Sequence, residues 1–69
     1  MEIKRNYKVI VLTGGYKYIT YFLTKKAATT LIITLRKIDE EFEKAILQEN
    51  VDGQWVTIWK FEEETTNDN

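Results

Sequence analysis

Cysteine, histidine and proline are absent from these 69 residues, and glycine occurs only three times. Without cysteine no disulfide forms. Without cysteine and histidine together, zinc, haem and iron–sulfur centres lose their usual ligands, so no cofactor or metal is expected. A chain this short buries only about 60% of the surface its unfolded form exposes. Small folds usually offset that with disulfides, a metal or self-association. Here the first two are excluded, which leaves close local packing or oligomerisation. Absence of cysteine fits a reducing compartment, and a cytoplasmic location is the expectation. No apolar run approaches the roughly 18 residues needed to cross a bilayer. The start, Met1-Glu2-Ile3-Lys4-Arg5, leads straight into a strand-like pattern without a signal-peptide core. No membrane partner is expected.

The charges that are present divide along the chain. Residues 1–37 hold eight basic side chains against Glu2, whereas residues 38–69 hold ten acidic ones against Lys44 and Lys60, and the net charge is −1. Either the two sets mingle on folding, or the molecule has opposite poles that steer a charged partner.

Glycine sits where turns are needed. Gly14-Gly15 separates two β-rich runs, Asn6 to Thr13 and Tyr16 to Phe22, and two glycines suit a two-residue turn that requires positive φ. Asp52-Gly53 separates Phe42 to Asn50 from Trp55 to Phe61 in the same way. Between the hairpins, Thr24 is placed to cap a helix. Ala27, Ala28, Leu31, Ile32, Leu35 and Ile38 form one apolar stripe at helical spacing. Arg36 and Lys37 suit the helix C-terminus. The β-branched run Thr29 to Thr34 argues for a strand there, but the cap, the alanines and the stripe favour a helix. Asp39-Glu40-Glu41 is expected to be a turn or a frayed helix end. The order is ββαββ, an α+β domain over 1–61 with a four-stranded antiparallel sheet and one helix packed on one face. Residues 62–69 are expected to be an acidic, polar, disordered tail.

Alternation along each strand sorts the side chains between two faces. One face is expected to carry Ile10, Leu12, Ile19, Tyr21, Ala45, Leu47, Val56 and Ile58, an aliphatic set suited to the helix stripe. The other is expected to carry Val9, Val11, Thr20, Ile46, Gln48 and Thr57 with seven of the nine aromatic residues: Tyr7, Tyr16, Tyr18, Phe22, Trp55, Trp59 and Phe61. A face that apolar points to a partner. A reversal of the faces, or a register shift in either hairpin, would redistribute these residues.

Catalysis requires a poised group in a pocket. The densest carboxylates, Asp39, Glu40, Glu41 and Glu43, read as a solvated turn and lack the Asp-x-Asp-x-Asp-Gly spacing of a calcium loop. Gly14-Gly15 belongs to a hairpin, not to a phosphate-binding GxxxxGK[ST] loop. No enzyme is expected. The leading expectation is a small protein-binding module acting through the aromatic residues just named, and self-associating as a homodimer.

The lysine-, isoleucine- and threonine-rich composition resembles that of small proteins of AT-rich bacteria and their phages. That resemblance implies a phage or mobile-element accessory protein, such as an inhibitor of a host defence protein. The carboxylates at Asp39 to Glu43 and Glu62 to Glu64 would suit mimicry of nucleic acid. The alternative is an accessory protein that binds single-stranded nucleic acid through Lys4, Arg5, Lys8, Lys17, Lys25 and Lys26, which lie among stacking aromatics. The acidic second half opposes it. The strand–Thr24-Lys25-Lys26-Ala27–helix junction resembles the arm-binding domains of tyrosine integrases, in which three strands precede the helix; here two do, and no function is carried over.

Overall fold

A computed structural model describes residues 6–62. The elements run β1 (Tyr7–Thr13), β2 (Tyr16–Phe22), α1 (Lys25–Ile38), β3 (Phe42–Val51) and β4 (Gln54–Glu62). They form one antiparallel sheet of order β2-β1-β3-β4, with the helix on one face. This is the expected ββαββ arrangement. β4 extends to Glu62, one residue into the segment expected to be tail; residues 63–69, expected to be disordered, lie outside those described.

Both turns form for the reason their glycines suggest. Gly14 and Gly15 have φ of 56° and 83°, and Asp52 and Gly53 have φ of 52° and 85°. All four lie in the left-handed region that two-residue hairpin turns require. Asp is among the few side chains that tolerate it, and Asn50 Oδ1 accepts a 2.9 Å bond from Gly53 N across the second turn.

The helix starts at Thr24, whose hydroxyl accepts from Ala27 N at 3.2 Å. Thr29 is accommodated inside the helix because its hydroxyl donates back to the Lys25 and Lys26 carbonyls, both at 3.1 Å. Tertiary contact then settles the choice of helix over strand, since Ala28 and Ile32 are buried against the sheet with Leu31 and Leu35 beside them. Ala27 and Ile38, expected in the stripe, are exposed. Ile38 ends the helix, and Asp39 turns the chain back toward the first hairpin.

Asp39 organises that turn. One carboxylate oxygen accepts from Thr13 Oγ1 at 2.7 Å and the other from Glu41 N at 3.0 Å. Gly14 N then donates to the Glu41 carbonyl at 3.1 Å. The end of the helix is thereby tied to the tip of the first hairpin. Asp39→Ala should lower stability by about 1–2 kcal/mol, since it removes two hydrogen bonds to a partly buried carboxylate. Urea titration should show a lower midpoint with an unchanged slope; an unchanged midpoint would mean that the turn holds without this side chain.

The core consists of Val9, Val11, Ala28, Ile32, Phe42, Ala45 and Leu47, with Tyr7, Phe22, Leu31, Leu35 and Phe61 packed around it. Here the face assignment is corrected. Val9 pairs with Leu47 and Val11 with Ala45, so the helix covers the β1 face of Val9 and Val11, not that of Ile10 and Leu12. Each hairpin is sorted internally by its turn, but the relation between the two hairpins depends on the β1–β3 register, a long-range pairing. A second correction lies in β4. The ladder shifts between Leu47 and Gln48, leaving Ile58 as an extra residue, so Trp59 falls opposite Leu47 and Phe61 opposite Ala45 on the helix side. A similar shift at Leu12/Thr13 sets Phe42 opposite Thr13 and carries it into the core, where it lies 5.8 Å from Phe61.

Candidate functional site

The one helix among the described residues covers one side of the sheet. The registers place Lys17, Ile19 and Tyr21 of β2, Lys8, Ile10 and Leu12 of β1, Lys44, Ile46, Gln48 and Asn50 of β3, and Trp55, Thr57, Lys60 and Glu62 of β4 on the opposite face. The cross-strand bond from Gln48 Nε2 to Thr57 Oγ1, 3.1 Å long, lies on this side. Among the described residues, no second layer covers it.

This bare face has an order of its own. Ile19, Ile10 and Ile46 form an aliphatic row across three adjacent strands, continued by Lys60 in the fourth. Leu12 lies beside that row. At the end toward Asn50, the Tyr21 and Trp55 rings meet at 5.9 Å, and Lys8 Nζ sits 4.8 Å from the Trp55 ring centre. Among the described residues, four lysines (8, 17, 44 and 60) rim the patch against one carboxylate, Glu62, which pairs with Lys44 at 3.3 Å. An exposed ion pair of this kind adds little stability. Two lysines from each half of the chain therefore share this face. Asp39, Glu40 and Glu41 instead follow the helix C-terminus, beside the first hairpin turn.

The aromatic residues expected to form one surface are divided. Tyr7, Phe22 and Phe61 flank the core, with the Arg36 guanidinium 4.2 Å from the Phe61 ring centre. Tyr16 and Tyr18 project on the helix side of β2, 6.4 Å apart. Trp59 is on the helix side opposite Leu47, and Trp55 alone of the seven lies on the bare face. The basic set is divided as well. Lys8 and Lys17 are on the bare face, Lys25 and Lys26 occupy the first turn of the helix, and Lys4 and Arg5 lie outside the described residues. Sequence reasoning missed Tyr21, Ile10, Ile19, Lys44 and Lys60 as surface candidates, whereas Ile46 was expected on the open face and lies there. The available signal was stoichiometric, since one short helix cannot cover both faces of four strands.

The helix packs against β1, β2 and β3. A cleft of about 550 Å³ remains, lined by Val11, Tyr16, Tyr18, Thr20, Leu31 and Leu35, with Thr13, Asp39 and Glu41 at one end. No group of three or more acidic side chains among the described residues is arranged to hold a metal ion. No helix among them is long and apolar enough to cross a membrane. Comparison of the chain with protein-family models, with curated proteins and with solved structures finds no match in any of the three.

Proposed function

We propose that this protein is a non-enzymatic binding module that docks a protein partner on the bare face of its sheet. The observation that carries this reading is an aliphatic row, Ile19-Ile10-Ile46, with Leu12, Tyr21 and Trp55, on a face that the helix does not cover. A contiguous apolar patch with Tyr and Trp at one end has the composition of an interface centre. Its lysine rim favours a partner whose own apolar patch is ringed by Asp and Glu. A second copy docked face to face would instead oppose lysine to lysine. A module without a reactive centre acts by occupancy, blocking or tethering what it binds, which is also how an inhibitor of a host protein would work.

The test compares capture from the source host by wild type, by a bare-face variant (Ile46→Lys with Trp55→Ala) and by a cleft variant (Tyr18→Ala). Bound protein, quantified by mass spectrometry, should fall at least tenfold for the first variant and hold for the second. Retention by the bare-face variant, or loss confined to Tyr18→Ala, would reject this face.

A second reading is favoured by one observation, the Lys8–Trp55–Tyr21 cluster amid four lysines, which is the chemistry that stacks and neutralises a single strand. It predicts that a short oligonucleotide quenches Trp55 fluorescence in a Trp59→Phe background, with affinity falling steeply as salt rises. Absence of quenching at low salt would remove it.

A further inference from the structure

The two edges of the sheet are unlike. β4 is interrupted by the extra residue Ile58 and ends on Lys60 and Glu62, and such bulges and charges blunt an edge against foreign strands. β2 carries only one such charge, Lys17, and no bulge. Its seven residues, Tyr16-Lys17-Tyr18-Ile19-Thr20-Tyr21-Phe22, contain no glycine, and all but Phe22 are exposed. No strand among the described residues pairs with its outer side.

The first turn determines which backbone groups face outward. A two-residue turn bonds Tyr16 N–H to the Thr13 carbonyl, so Tyr16, Tyr18, Thr20 and Phe22 turn their backbone groups toward β1. The N–H and C=O groups of Lys17, Ile19 and Tyr21 then point away from the sheet.

We propose that β2 pairs antiparallel with β2 of a second copy about a two-fold axis at Ile19, making one continuous sheet of both copies' strands. This register uses all seven residues of the strand. Ile19 meets its own copy, Tyr18 meets Thr20, Lys17 meets Tyr21 and Tyr16 meets Phe22. The outward groups of Lys17, Ile19 and Tyr21 supply about six backbone hydrogen bonds across the axis. Lysine opposite tyrosine and tyrosine opposite phenylalanine are favourable cross-strand pairs, and no like charges oppose each other. Centring the axis on Lys17 would set lysine against lysine, and centring it on Tyr18 or Thr20 would pair five residues instead of seven.

The cleft fits the same partner. It lies between the helix and the edge strand, lined by Leu31 and Leu35 on one side and by Tyr16, Tyr18 and Thr20 of β2 on the other. A paired strand brings Thr20 and Phe22 of the second copy opposite Tyr18 and Tyr16 at its mouth, where they shield apolar surface now exposed. This pairing does not depend on what the bare face binds.

The experiment reads mass and cross-linking, so its failure is distinct from failure of the docking proposal. Sedimentation equilibrium from micromolar to millimolar concentration should give a monomer–dimer equilibrium for wild type. Ile19→Lys, at a position 48% exposed in the monomer, should remain folded and shift to monomer. So should Ile19→Glu, and mixing the two should restore the dimer mass. The chain has no cysteine, so single introduced thiols report position directly. Ile19→Cys should form an intermolecular disulfide under mild oxidation, since residues paired at a two-fold axis lie about 5.5 Å apart. Lys17→Cys should cross-link with Tyr21→Cys at least tenfold faster than with itself. A wild type that stays monomeric to millimolar concentration, a dimer indifferent to Ile19→Lys, or Lys17→Cys cross-linking to itself as fast as Ile19→Cys would overturn the proposal.

Discussion

Val9→Asp should abolish folding, whereas Ile10→Asp, one residue further along the same strand, should leave a folded protein. Val9 is fully buried between the helix and Leu47, and Ile10 faces away from the helix between Ile19 and Ile46. An unpaired carboxylate in the first position either stays ionised in an apolar surround or takes up a proton at comparable expense, and each costs several kcal/mol. A domain of this length has roughly 3–10 kcal/mol in total, so the folded state does not survive. At position 10 the carboxylate stays solvated among Lys17, Lys44 and Lys60, and the loss is confined to cross-strand packing, about 1–2 kcal/mol. Far-UV circular dichroism and amide dispersion in proton NMR distinguish the two outcomes. Equal effects, or the reverse order, would mean that the helix lies on the other face.

Leu47→Ala should cost about 2–5 kcal/mol, the range for deleting a fully buried leucine side chain from a core that relaxes incompletely. Leu47 has no exposed surface, pairs with Val9 on one side and Trp59 on the other, and belongs to a core of seven buried residues among those described. With so few members, no neighbour can move in without giving up its own contacts. Leu12→Ala is the matched control, since Leu12 lies on the bare face and is only half-buried. It should lose less than half as much in the urea midpoint. If the two variants lost the same, the bare face would already be covered in the free protein, and the docking proposal would have to be revised with it.

The residues expected to gather into one aromatic surface show how far local reasoning reaches. Tyr16, Tyr18 and Phe22 do share a face of β2, as the Gly14-Gly15 turn requires. Trp55 and Thr57 sit on the face that the Asp52-Gly53 turn assigns to them, opposite Asn50 and Gln48. Beyond Thr57 the extra residue Ile58 reverses the alternation, and Trp59 and Phe61 join Leu47 and Ala45. Nothing local marks Ile58 as the bulge. It appears only when Phe61 must meet Phe42 and Ala45 at the end of the core.

Absence of cysteine and histidine, two glycine turns, the Thr24 cap and the order ββαββ were determined by the sequence alone, because each acts over a few residues or through simple exclusion. The side on which the helix lies, and therefore which residues are left uncovered, was decided only by the tertiary structure. A strand offers two faces to any partner, and the pairing of Val9 with Leu47 and Val11 with Ala45 joins residues more than thirty positions apart. A one-residue slip in that pairing exchanges the covered and uncovered sets completely. The slip is prevented by packing. The small, branched set Val9, Val11, Ala45 and Leu47 lets Ala28 and Ile32 approach the sheet closely, and the lysines left on the opposite face could not be buried there.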